Sequence, residues 1–202
     1  MAVRSHMQQI TGMTTCGSYE KYLGLPPIVG RSRYNTFKSL KERVWMKVNS
    51  WKNNFLSQAG KEILLKAVIQ AIPTYSMSVF RLPRRLCKEI PAVMARFWWG
   101  HRQNDRRIQW RSWFKMGDSK KRGGLGFRDL ESFNKAMLVK QCWRILNNPS
   151  SLVAKVMKEK YFKEDRFLEA RLGYAPSLIW RSLWYSISLV KESLRWRVGD
   201  GS

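Results

Sequence analysis

Apolar residues recur at steps of three and four through most of the chain, which is the period of a helix buried on one side. Phe37, Leu40, Val44, Val48 and Trp51 fall on one such face. Ser57 has the chemistry of an N-cap for the next segment, and Ile63 to Ile72 are apolar nearly all round. A helix of that kind is expected to be buried on most sides, with Pro73 ending or kinking it. Residues 74–82 fit a strand or a helix; their neighbours favour a kinked helical continuation. Leu86, Ile90, Val93 and Phe97 make another face, stopped at Gly100, with a break expected at Pro91. Leu130, Phe133, Met137, Ile145 and Leu146 trace a long helix closed before Pro149. Leu152, Val153, Val156, Met157 and Tyr161 give a shorter helix, and Ile179, Leu183, Ile187, Val190 and Leu194 give the last. Residues 101–111 and 117–126 break the pattern and read as loops. The chain is therefore expected to be mainly α, a bundle of about seven helices with short β segments at most.

Charge changes this picture most. The 202 residues carry 38 Lys and Arg against 14 Asp and Glu, a net charge of +24. Ten Trp, nine Phe and seven Tyr exclude a disordered basic tail, which lacks the aromatic residues that build a core. The excess is uneven. Residues 74–128 hold 14 basic and 3 acidic side chains, whereas 129–202 hold 13 and 8. The dense region contains three basic groups: Arg81, Arg84 and Arg85; Arg102, Arg106, Arg107 and Arg111; and Lys120, Lys121, Arg122 and Arg128. Trp110 and Trp113 lie between the second and third. Cationic loops with interleaved aromatics suit phosphate contacts with base or sugar stacking, and no nearby acids are expected to neutralise them. Trp45, Trp51, Trp143, Trp180 and Trp184 fall in helices and are expected in or near the core. Of the adjacent Trp98 and Trp99, one is expected inside and the other at the surface.

Residues for catalysis are sparse. Asp105, Asp118, Asp129, Asp165 and Asp200 are spread along the chain, with no pair placed to hold two metal ions. Asp129 and Glu131 read as acids favoured at a helix N-terminus. His6 and His101 stand alone, and Cys16, Cys87 and Cys142 match neither a disulfide framework nor a zinc knuckle, so no metal or cofactor is expected. GGLG at 123–126 lacks the rest of a phosphate-loop pattern. No apolar run is long enough to span a membrane.

Several phrases occur together in order: KYLGLP (21–26), the stretch from RVWMKVNSWKNNF to FRLP (43–83), FWWG (97–100), GGLGFRDL (123–130), FNKAMLVKQCWRIL (133–146) and WRVGDG (196–201). They resemble the segment that follows the polymerase core in reverse transcriptases of plant non-long-terminal-repeat (LINE-type) retrotransposons. The resemblance covers roughly residues 8–202. In that family the catalytic Tyr/Phe-x-Asp-Asp palm lies upstream, and a zinc-binding segment and a ribonuclease H domain often follow. The resemblance implies a palm end and linker over 1–34, a basic thumb-like region over 35–116, and a helical connector over 117–202. Short β segments are implied at YLGLP and WRVGDG. It further implies a fragment that is catalytically incompetent alone and holds RNA, DNA or an RNA–DNA hybrid through phosphates, without sequence specificity. A separate palm-bearing chain is an implied partner, and a membrane is not. A nuclear or cytoplasmic compartment is expected, with a plant mitochondrial gene as the alternative. Pro27 and Pro91 depart from the family pattern, so a decayed reading frame without a selected role is the rival expectation.

Overall fold

A computed structural model describes residues 32–51, 56–100 and 108–194. The chain divides into two compact units, Met1–Arg31 and Ser32–Ser202, and the first lies outside the described residues. The expected β segments at YLGLP and WRVGDG lie outside them too. Among the described residues there are eight α-helices and no strand, so the fold is mainly α, as expected.

The helices are α1 (Arg33–Ser50), α2 (Gln58–Leu64), α3 (Thr74–Val79), α4 (Arg84–Trp98), α5 (Trp113–Met116), α6 (Leu130–Asn147), α7 (Leu152–Tyr161) and α8 (Leu178–Ser193). Most begin on a side chain that accepts a hydrogen bond from the first turn. Ser32, Ser57, Ser112, Ser151 and Ser177 cap α1, α2, α5, α7 and α8. Asp129 caps α6 by accepting from the Ser132 amide at 2.8 Å. Each cap satisfies a donor the helix cannot, worth about 1 kcal/mol. Partial burial opposes ionisation of Asp129, but hydrogen bonds from Ser132 and the Glu131 amide outweigh it and hold the carboxyl below its usual range.

α1 presents the expected face: Phe37, Leu40, Val44 and Val48 are buried, against α4. The segment after Ser57 departs from expectation. α2 runs into a π turn over Leu65–Ile69, where the Gln70 amide reaches back five residues to the Leu65 carbonyl. Leu65 and Ile69 are buried, whereas Ile63, Ala67 and Ala71 are exposed. One stripe faces the core, Leu64, Val68 and Ile72 are partly buried beside it, and the opposite side meets solvent.

α4 corrects the expected break at Pro91, since it runs from Arg84 to Trp98 without interruption. Pro91 has no N–H to give the Cys87 carbonyl. Leu86, Ile90, Val93, Met94 and Phe97 are buried on both sides of that gap. The packing they provide offsets one missing hydrogen bond, so the helix continues through the proline.

α6 is the central element, packing against α3, α4, α7 and α8. Its buried stripe is Leu130, Asn134, Leu138, Cys142 and Ile145. With α8 it encloses a second core built on Trp180, which is fully buried and stacked on Tyr161 and Phe162 at 4.7 and 5.8 Å. The indole N–H groups of Trp180 and Trp184 donate to the Leu172 and Ala170 carbonyls and fasten the 162–177 connection to α8. Trp180 thus meets the core expectation, and Trp51 and Trp184 are half-buried. Trp45 and Trp143 are about half exposed, at 50% and 47%. Trp98 is buried and Trp99 less so. Cys87 and Cys142 are buried free thiols, pushed up to about 11 and about 12 chiefly by burial.

A polar hub joins α1 to α4. Glu89 accepts from the Tyr34 hydroxyl at 2.6 Å, Lys41 Nζ at 2.8 Å and Arg85 Nε at 2.8 Å. The Lys41 hydrogen bond, then those of Tyr34 and Arg85, hold its carboxyl at about 2, well below the ordinary 4.5. A depressed carboxyl stabilises the fold above its unfolded value, and that contribution fades as pH falls from about 4.5 toward 2. Glu89→Gln is therefore expected to lower the thermal midpoint at neutral pH, with the gap to wild type closing through that window. A gap that stays constant with pH would show that the hub does not stabilise through this charge.

Candidate nucleic-acid interface

The linker between α3 and α4 carries Arg81, leads into Arg84 and Arg85 at the start of α4, and is fixed from two helices. Asn134 of α6 donates through Nδ2 to the Met77 and Phe80 carbonyls at 2.8 and 2.9 Å, and its Oδ1 accepts the Leu82 amide at 2.8 Å. Ser182 of α8 accepts the Arg81 amide at 2.9 Å. Arg81 lays its guanidinium over the Tyr185 ring, 4.7 Å from the centroid. Arg84 pairs with Glu131 at 3.2 Å, and Arg85 pairs with Glu89 while covering Tyr34 at 4.4 Å. Acids therefore do meet this group, contrary to expectation. Both arginines remain more than 70% exposed. Exposed pairs of this kind are worth about 0–1 kcal/mol, so the arginines can exchange a carboxylate for a phosphate.

Arg111 of the second group and all of the third group lie on one ordered segment, residues 108–128. Arg102, Arg106 and Arg107 lie outside the described residues. Arg111 donates to the Gly123 carbonyl, which ties the segment leading into α5 to the end of the 3₁₀ turn Lys120–Arg122. The Leu125 amide donates to the Met116 carbonyl and the Gly126 amide to the Asp118 carbonyl, both at 2.9 Å. Gly124 closes this weave, because a Cβ there would collide with the Asp118 carbonyl. Gly123 sits at φ +74°, in the left-handed region that glycine adopts without strain. The GGLG run is thus a structural closure for a basic turn.

Aromatic packing anchors the platform from beneath. Phe127 is buried, stacks on Trp113 at 4.6 Å and meets the edge of Trp98 at 5.7 Å. Lys66 of the π turn lies 5.5 Å from its ring centroid. Lys120, Lys121 and Arg122 are exposed, and among the described residues no acid lies within ion-pair distance of them. Lys120 also helps lower the Glu62 carboxyl, an effect led by the hydrogen bond from Lys66. Arg128 is exposed, with its guanidinium 4.7 Å from the Phe133 centroid at the start of α6. Glu131, which holds Arg84, is three residues further on, so Arg84 and Arg128 share that helix end.

Sequence reasoning missed two groups here. Lys115 and Phe114 are exposed on α5, and the cap at Ser112 was the signal that this segment is a helix turn with an outer side. Asn134 and Ser182 were also missed; each is a buried polar residue inside an apolar helical stripe.

Fold and surface together define a class: a helical, strongly basic protein with six of its cations on one ordered loop segment, residues 108–128. No family model matches the chain. Over 132 residues it is 42% identical to the uncharacterized mitochondrial protein AtMg00310 of Arabidopsis thaliana, an alignment covering 65% of this chain and 86% of that protein. The chain belongs to the family of that protein. It is also 32% identical over 186 residues to the Arabidopsis thaliana protein named "Putative ribonuclease H protein At1g65750". That match takes in 88% of this chain but 29% of the relative, so the chain spans under a third of that longer protein. The mitochondrial relative agrees with the alternative compartment expected from sequence. Among the described residues, no helix is long and apolar enough to cross a membrane, and no three His, Cys, Asp or Glu side chains gather as a metal site.

Proposed function

We propose that this chain corresponds to the helical region that follows the polymerase core of a plant retrotransposon reverse transcriptase, and that it holds RNA or DNA through phosphates without reading sequence. The observation that carries the reading is the 108–128 platform, with six cations and one acid, Asp118, in 21 residues. Its cations are displayed by a hydrogen-bonded loop, so a phosphate backbone meets charges already in place, and such contacts supply sequence-independent affinity. The longer relative's name, a ribonuclease H protein, supports nucleic acid as the partner class. The reading assigns these residues a holding role and no chemistry on the strand. A palm-bearing polymerase chain and a mitochondrial setting belong to the same proposal.

The test is titration of a labelled RNA–DNA hybrid at several salt concentrations. Each phosphate engaged lowers log affinity by about 0.7–0.9 per log unit of salt. Engagement of four or more phosphates gives a slope steeper than about −3. Affinity absent at low salt, or indifferent to salt, overturns the proposal and favours a decayed reading frame.

A further inference from the structure

We propose that Trp110 and Phe114 form a base-stacking platform that makes the basic loop selective for single-stranded nucleic acid. This rests on the phosphate-holding reading above and extends it to the kind of strand held.

Trp110 is 80% exposed and Phe114 83%. They stand four residues apart, on either side of the N-cap Ser112 of α5. The loop does not use them for its own packing. Trp113 and Phe127 stack inside, and among the described residues neither Trp110 nor Phe114 makes a ring contact. Adjacent residues on a helical turn point about 100° apart, so seating Trp113 inward leaves Phe114 outward. With Ile108, 67% exposed, Trp110 and Phe114 put three large apolar side chains on the outside of one seven-residue stretch, and apolar side chains exposed as a group, unlike isolated ones, mark an interaction surface.

Their surroundings choose the partner. Arg111 and Lys115 are the next residues along, and Arg111 binds the Gly123 carbonyl, which holds the Lys120–Arg122 turn against the same segment. An apolar protein partner would be expected on an uncharged patch. Rings interleaved with cations suit a chain that alternates flat apolar faces with anions, which describes an unpaired nucleic-acid strand. In a duplex the base faces are covered by their neighbours, so the rings add affinity only for unpaired bases.

The test compares a short oligothymidylate and oligouridylate with a duplex of the same length, using the full chain. Trp110→Ala with Phe114→Ala is expected to weaken single-strand binding by at least about fivefold for each base stacked. Duplex affinity and its salt slope are expected to stay unchanged. Trp110→Phe with Phe114→Tyr, which keeps both rings, is expected to retain single-strand affinity. Unchanged single-strand binding in the alanine variant, or an equal loss on strand and duplex, overturns the stacking platform while leaving phosphate holding intact. Failure of the wild-type chain to bind either nucleic acid overturns the phosphate reading itself.

Discussion

Asn134→Leu is expected to lower stability by about 3 kcal/mol or more, because it strands three buried backbone groups at once. The leucine fills a similar volume, so the loss comes from hydrogen bonding and not from a cavity. The Leu82 amide and the Met77 and Phe80 carbonyls all end on this one amide, and Asn134 is only 3% exposed. Each buried group left unpaired costs about 1–3 kcal/mol. Small domains hold about 5–15 kcal/mol in all, so this single change approaches the margin for folding. The effect should also reach the surface, since the linker Asn134 holds carries Arg81 and leads into Arg84 and Arg85. Urea unfolding measures it directly. A midpoint within a few tenths of wild type would show that the linker finds other partners, and the view of Asn134 as its keystone would fail.

Trp180→Ala is the second large expected effect, at about 3–5 kcal/mol. Trp180 is fully buried where α6, α8 and the 162–177 connection meet. The substitution removes stacking on Tyr161 and Phe162, the edge contact with Phe167, and the bond to the Leu172 carbonyl. Trp180→Phe keeps a ring and loses that bond, so a smaller cost, about 1 kcal/mol for the bond itself, is expected. Hydrogen exchange over residues 162–177 should rise in the alanine variant, because the connection loses one of its two indole fasteners. Equal destabilisation by both variants would place the energy in the hydrogen bond and contradict a packing role.

Much of this architecture is legible from spacing. The face of α1, the termination of α6 before Pro149 and the cap at Ser57 follow from local rules that tertiary contacts did not override. The failures share a cause: apolar periodicity reports which residues can be buried, and tertiary partners decide which are. Around Ile63 to Ile72 Leu65 and Ile69 are the apolar side chains that became fully buried, while Ile63, Ala67 and Ala71 stayed exposed. On α7, Leu152, Val153 and Val156 have the spacing of a core stripe, yet they are 78%, 56% and 54% exposed, and Ala154 is the buried residue. Pro91 failed as a stop signal because packing on both sides outweighed one lost bond.

The candidate site was legible as charge and not as geometry. The basic groups could be counted from sequence, but not that Glu131 would reach back to Arg84 from 47 residues away. The Arg85–Glu89 pair, four residues apart on one helix, follows a local rule. Trp113 and Trp110 look alike in a list of residues; only folding separates the anchor from the exposed ring. Phe127 makes that separation by stacking on Trp113 from 14 residues downstream.

The central claim is that the 108–128 platform holds phosphates with charges already in place. The most direct measurement is the salt slope of RNA–DNA hybrid binding for wild type against a Lys120→Ala, Lys121→Ala, Arg122→Ala variant. These side chains are exposed and outside the core, so the fold should be unaffected. If all three meet phosphates, the slope becomes shallower by about 2–3 units, with affinity falling on every sequence alike. A slope identical to wild type would mean that the phosphates are met elsewhere, and the account of this loop would be wrong.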